Sequence, residues 1–293
     1  MIDTVPGVLI LDRTSDWDHH RTVLTLAGTQ QAMEEAAVCL AAEAMRSIDL
    51  NNHRGVHPRI GALDVLPFVP LGASTMDDCV ALAHRTGQRI YEELALPVYF
   101  YGAAAKRPER KALENVRRGQ FEGLLEEAIH DRAKAPDLGG PALHPTAGAV
   151  AVGARKILIA YNINLRTNRL DVAKAIARQV RASSGGLPEV KALGLPLESR
   201  GLVQVSINLT DFEKTPLDVV YRTVERLAAS HGVEIEESEL IGLVPQKALE
   251  MASAHSVKLT GFNASDVLEE RIRSRAFRTV KLPGPFLAGE KLC

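Results

Sequence analysis

His57 is the residue in this chain best suited to acid-base chemistry. An imidazole titrates near neutrality, so it can take a proton from an attacking amine and return it to a departing nitrogen. Arg59 follows two residues later, and its planar fork suits a carboxylate. Asp64 stands five residues beyond that, close enough in sequence to orient the histidine or bind substrate charge. A loop histidine hydrogen-bonded only for structure satisfies the same residue pattern. His53 and His57 are also four apart, a spacing that presents two metal ligands on a helix. Gly55 and Pro58 disfavour a helix there, and no Cys, Glu or Asp is spaced nearby as a third ligand. His19 and His20 are more distant candidates that nothing in the sequence places. Metal is therefore the weak reading, and the residues alone leave a proton carrier and a structural loop histidine both open.

These residues sit in residues 53–70, HRGVHPRIGALDVLPFVP, read as a shaped loop that runs into a buried strand over residues 62–69. Glycines and prolines give the loop its course, and the apolar run gives it a rigid base. Around it the chain alternates strand and helix. Strands are expected at residues 7–12, 21–27, 97–101, 156–164, 190–195 and 202–209, with residues 13–20 turn-like between the first two. Helices are expected at 29–48, from Thr75 with a capping-box start, at 171–182, and along the stripe Leu217, Val220, Tyr221, Val224, Leu227 and Ala228. Residues 106–134 are charged and read as a surface excursion. Short apolar and helical pieces continue to about Arg273, and the tail after Lys281 reads as loosely packed. The pattern predicts an α+β (mixed α/β) protein of two similar subdomains, residues 1–157 and 158–293, each a mixed β-sheet covered by helices on one face.

A length of 293 residues, 46% hydrophobic and 24% charged, is that of a globular protein. A net charge of -1 gives no basic field for nucleic acid. No apolar run approaches the roughly 18–20 residues of a membrane span. Three widely spaced cysteines suit a reducing compartment, so a cytoplasmic setting is expected.

Residues 135–148, APDLGGPALHPTAG, read as an ordered binding loop or rim. The glycine pairs Gly139-Gly140 and Gly185-Gly186 admit either close ligand approach or turn and cap chemistry. Neither fits a dinucleotide or phosphate-loop pattern. Asn162, Asn164 and Asn208 lie in apolar strands, where a buried amide either braces the structure or reads a polar ligand.

The stretch HRGVHPRIGALDVLPFVP resembles the signature of the glutamate formimidoyltransferase (formiminotransferase) family, which includes the transferase half of formiminotransferase-cyclodeaminase. RTVLTLAG at Arg21, PVYFYGAAA at Pro97, GARKILIAYNINL at Gly153, QVSINLTDFEKTPL at Gln204 and LIGLVPQKAL at Leu240 resemble further family segments in the family's order. The resemblance implies two sheet-and-helix subdomains with a folate tunnel between them, within a homodimer. It implies transfer of a formimino group between N-formimino-L-glutamate and N5 of tetrahydrofolate, the co-substrate, in histidine degradation. The family's catalytic histidine falls on His57. Its folate-binding loop falls on Gly139, Gly140, Pro141, Ala142, Leu143, His144, Pro145, Thr146, Ala147 and Gly148, with a further folate contact at Gly185. Arg59 and Asp64 take supporting roles, and His53 becomes loop scaffold.

The sequence departs from the family pattern in three places. Family members open with a further strand and helix carrying a PNFSEG-like segment, whereas the match here starts at about the second strand. His20 replaces an asparagine, and Thr14 stands where the family carries an acid. Leu143, His144 and Ala147 replace bulkier groups in some relatives. No cyclodeaminase portion is matched, which implies a monofunctional transferase. The rival expectations are formyl transfer between 5-formyltetrahydrofolate and glutamate, an impaired folate-binding protein and, last, a metal hydrolase.

Overall fold

The structure, a computed structural model, describes residues 5–17, 20–55, 57–252 and 257–279. His19 and the tail after Lys281 lie outside the described residues. The chain divides into two compact units, with Lys156 closing the first and Ile157 opening the second.

The first unit begins with an antiparallel hairpin, β1 (Val8–Asp16) and β2 (Arg21–Gly28). The residues expected to form a turn from Arg13 onward instead extend the strand. Thr14 pairs with Val23, Ser15 with Thr22 and Asp16 with Arg21. This end of the hairpin is exposed, so its residues need no apolar face to be stable as strand. Helix α1 (Gln30–Ser47) follows, with the Thr29 hydroxyl accepting from Ala32 N at 3.3 Å. Helix α2 (Met76–Leu94) opens with the expected reciprocal cap between Thr75 and Asp78.

Three parallel strands form the sheet of this unit in the order β3 (Val65–Phe68), β5 (Val150–Ala154), β4 (Val98–Gly102). The strand expected over residues 62–69 is shorter than its apolar run, because Asp64 Oδ1 turns back to accept from Ile60 N at 2.8 Å. The central strand β5 was not anticipated. Its VAVGA composition is short and small, with the alanine and glycine that strands disfavour. Successive side chains along the strands face opposite sides. Val98, Phe100, Val150 and Val152 pack in one core with residues of α1 and α2. Tyr99, Tyr101, Ala149 and Ala151 pack in another with Val116 of α3 (Leu113–Val116) and with Leu124 and Ala128 of α4 (Gln120–His130). The charged stretch before residue 134 is thus an amphipathic cover for the second face of the sheet rather than an excursion.

The four-stranded sheet of the second unit is antiparallel, in the order β7 (Val190–Leu197), β8 (Leu202–Leu209), β6 (Ile159–Leu165), β9 (Ile235–Ile241). Ile159, Tyr161, Ile163 and Leu165 pack with residues of α5 (Leu170–Val180) and α6 (Leu217–Ser230). Burying each such aliphatic side chain contributes about 1.5–3 kcal/mol. Strand β9 was not expected from IEESELI, because its acids obscure the alternation. Glu237 and Glu239 accept from the fully buried Asn164 amide at 3.1 and 3.0 Å, and Gln204 Nε2 donates to Asn164 Oδ1 at 2.9 Å. Asn164 therefore braces the sheet. Helices α7 (Gln246–Met251) and α8 (Leu268–Thr279) follow β9 in the chain.

Candidate active site

The site is built where two irregular segments of the first unit lock together. Leu50 N donates to Thr146 O at 2.8 Å, Ala62 N to Ala147 O at 2.9 Å and Ala149 N to Ile60 O at 3.0 Å. Asn51 Nδ2 adds a bond to Pro145 O at 3.1 Å. The loop carrying His57 is therefore held along the loop of residues 139–148. That second loop is itself braced by His144, whose Nδ1 accepts from Ala147 N at 3.0 Å and whose backbone exchanges two 2.9 Å bonds with Gly148. At its other end Asp137 Oδ2 accepts from Phe100 N at 2.8 Å. Asp137 also stands 2.8 Å from Arg110 Nη1, a buried ion pair whose angles fall short of a hydrogen bond.

His57 is half-buried, and its Nε2 lies 2.7 Å from Arg21 Nη1. A guanidinium can only donate. His57 Nε2 therefore accepts, which makes the imidazole neutral, with its basic lone pair on Nε2. Much of Arg21 is open to solvent, yet packing around its head group, and then Arg117, hold its guanidinium below the ordinary arginine pKa. Asp16 and Asp64 pull in the opposite direction. Asp64 in turn holds Arg117 through a charged hydrogen bond, while its other oxygen caps Ile60 N. The predicted His57 and Asp64 are thus brought together through two arginines, Arg21 and Arg117, that the sequence reading did not single out.

Arg59 faces elsewhere. Its fork is taken by Glu122 of α4, with Nη1 and Nη2 donating at 2.9 and 2.6 Å, and this hydrogen bonding lowers the Glu122 pKa. Arg59 Nε donates to His53 Nδ1 at 3.2 Å, so His53 Nε2 carries the proton and donates to His20 O at 2.8 Å. Desolvation, partly opposed by the His20 carbonyl, lowers the His53 pKa and favours this neutral form. His20 adopts a left-handed backbone, φ 50°, a region that histidine and asparagine tolerate better than most residues. Its ring stacks on His53 at 4.0 Å, and its Nδ1 donates to Arg54 O at 2.7 Å. Both His53 nitrogens and His20 Nδ1 are thus spent on the protein. Among the described residues there is no group of three or more His, Cys, Asp or Glu that could hold a metal ion. A hollow of about 590 Å³ beside the Arg59–Glu122 pair is lined by residues including His53, Arg54 and Phe121, and His57 is not among them.

Gly185 belongs to the second unit. It closes the short turn after α5 with φ 83°, and a side chain there would meet nothing within 4 Å.

Family profiles cover nearly the whole chain. The formiminotransferase domain, N-terminal subdomain, matches residues 1–155, and the formiminotransferase domain matches residues 160–278. The chain belongs to the formiminotransferase family. It is 44% identical over 260 residues to the glutamate formimidoyltransferase of Streptococcus pyogenes serotype M1, covering 89% of this chain and 87% of that one. It is 42% identical over 276 residues to the glutamate formimidoyltransferase of Thermoplasma acidophilum, covering 94% and 91%. The formimidoyltransferase-cyclodeaminase of Gallus gallus is 42% identical over 263 residues, which are 88% of this chain and 48% of that protein. In this formiminotransferase the hairpin arginine and the loop histidine are in direct contact, and the glycine-rich segment runs alongside them.

Proposed function

We propose that the chain is a glutamate formimidoyltransferase, moving a formimino group between N-formimino-L-glutamate and N5 of tetrahydrofolate. Family membership at this identity supports the activity. The observation that carries the site is the neutral His57, whose Nε2 lone pair accepts from Arg21 on a loop held along residues 139–148.

The chemistry follows from that lone pair. N5 of tetrahydrofolate attacks the formimino carbon and forms a C–N bond, giving a tetrahedral adduct. His57 accepts the proton that N5 sheds. The imidazolium then delivers that proton to the glutamate nitrogen as the old C–N bond breaks. Glutamate leaves, 5-formiminotetrahydrofolate is formed, and the imidazole returns neutral. One group serves both halves of the transfer. Asp64 supports it by fixing Arg117 and the Ile60 turn, and Arg59 supports it by tying the loop to α4 through Glu122.

In this reading residues 139–148 and Gly185 bind the folate. The cytoplasmic setting, the homodimer and the place in histidine degradation follow from the same reading. The test supplies tetrahydrofolate with formiminoglutamate, and separately 5-formyltetrahydrofolate with glutamate, to the wild type and His57→Ala. The expected result is turnover of the first pair that falls about a hundredfold to ten-thousandfold in the variant. Activity that survives the substitution would remove His57 from the mechanism. Turnover of the second pair alone would make the enzyme a formyltransferase.

A further inference from the structure

Arg21 and Arg117 lie within electrostatic reach of each other, and Arg117 also reaches the Tyr101 phenol, as does Arg155. The Tyr101 ring lies across Gly153, where an added Cβ would sit 2.5 Å from it. Arg155 follows directly on the end of β5, and its guanidinium acts on the same phenol. Its Nη1 donates to the Lys156 carbonyl at 3.0 Å. The acids that face this group are Asp16, near Arg21, and Asp64, which holds Arg117. Among the described residues, three guanidiniums thus share two carboxylates here. Arg117 Nε is buried with no hydrogen-bond partner among the described residues, a costly state for a charged donor.

We propose that Arg21 and Arg117, flanked by Arg155, receive the α-carboxylate of the amino-acid substrate, and that Arg21 releases His57 in doing so. The site rests on the reading of the chain as a formimidoyltransferase. Both substrates carry glutamyl carboxylates, and position decides between them. The α-carboxylate of formiminoglutamate is one carbon from the nitrogen that bears the reacting group, so it must lie close to His57. The carboxylates of the folate tail are a whole p-aminobenzamide spacer away from N5. An anion site joined to the catalytic imidazole by one hydrogen bond fits the first and not the second.

The same bond gives the site a second consequence. In the free protein the Arg21 Nη1 proton occupies the Nε2 lone pair that N5 deprotonation requires. A hydrogen bond from arginine to a carboxylate is charge-assisted on both sides and is stronger than one to a neutral imidazole. An arriving carboxylate therefore draws Arg21 away and exposes the base only when the substrate is in place. Arg21 is a positioning residue toward His57 and a binding residue toward the substrate.

Calorimetry with L-glutamate and with γ-aminobutyrate, which lacks the α-carboxylate, tests the site without turnover. The wild type is expected to bind glutamate at least tenfold more tightly. Arg21→Gln and Arg117→Gln should abolish that preference while tetrahydrofolate affinity stays within twofold, and Arg21→Lys should restore part of it. In wild-type protein with 15N-labelled histidine, glutamate should move the His57 Nε2 resonance and γ-aminobutyrate should not. That measurement needs no variant to fold. Equal binding of the two ligands by the wild type, or a resonance that glutamate leaves in place, would overturn the proposal. Loss of tetrahydrofolate affinity alone in the arginine variants would reassign the cluster to the folate tail. If the wild type transfers no formimino group yet shows the glutamate preference, the functional reading fails and the site stands. If it turns over and the variants keep their KM for formiminoglutamate, the site fails and the reading stands.

Discussion

Gly61 and Gly148 pair across the two loops of the site with their backbones almost in contact. A Cβ on Gly148 would lie 2.0 Å from Ile60 O, and one on Gly61 would lie 2.0 Å from Ala149 O. Both obstacles are backbone atoms that cannot rotate away, and Gly148 also has φ 69°. Gly148→Ala is expected to destabilise the first unit by roughly 2–4 kcal/mol, combining overpacking with a left-handed alanine. Urea denaturation measures this. A loss below about 0.5 kcal/mol, the range of neutral surface substitutions, would mean the loops can part without cost.

The His20–His53–Arg59 chain makes the loop sensitive to acid. Burial holds the folded His53 pKa below the ordinary histidine value of 6.5. The unfolded chain thus binds more protons as pH falls below that value, so stability is retained above about pH 6.5 and lost as pH drops toward the folded pKa. Protonation would put a proton on Nδ1, which must accept from Arg59. The melting temperature is expected to fall on acidification below this point, and His53→Gln should flatten that part of the profile. An unchanged slope in the variant would assign the acid sensitivity to other groups.

The non-helical course of His53, Arg54 and Gly55 was legible in sequence, because Gly55 and Pro58 act locally on the backbone. The helices with clear stripes were legible for the same reason. What could not be read depends on distant partners or on small residues. Arg59 carries a fork suited to substrate, and only the fold brings Glu122 to it from 63 positions away. Arg117 was hidden in a charged stretch whose buried apolar residues, including Val116, Phe121, Leu124 and Ala128, do not stand out until the sheet is seen beneath them. Strand β5 lies at the centre of its sheet, yet its alanines and glycine send little β signal.

Glu122→Ala should release the Arg59 fork. The Arg59 side chain is 11% exposed and that of Glu122 is 59% exposed, so solvent screens the pair and the direct loss is about 1 kcal/mol or less. The larger effect should be on the histidine loop, because Arg59 also donates to His53. Transfer activity is expected to fall several-fold, and Glu122→Asp, which keeps the charge, to fall less. Thermal melts set against steady-state rates separate the two effects. Equal rates in all three proteins would show that this tie does not position the loop.

Gly185 and Gly186 are neighbours with opposite tolerances, which allows a folate contact to be separated from a structural requirement. A Cβ on Gly186 would sit 2.4 Å from Gln179 O, so Gly186→Ala should disrupt the end of α5 and lower stability by more than about 1 kcal/mol. At Gly185 nothing lies within 4 Å, and the cost of alanine is only that of holding φ at 83°, about 1–2 kcal/mol. Gly185→Ala is thus expected to fold, and a methyl group placed against bound folate should raise its Kd about tenfold. Fluorescence titration with 5-formyltetrahydrofolate measures this. Unchanged affinity in a well-folded Gly185→Ala protein would return Gly185 to a turn-closing role and confine folate recognition to residues 139–148.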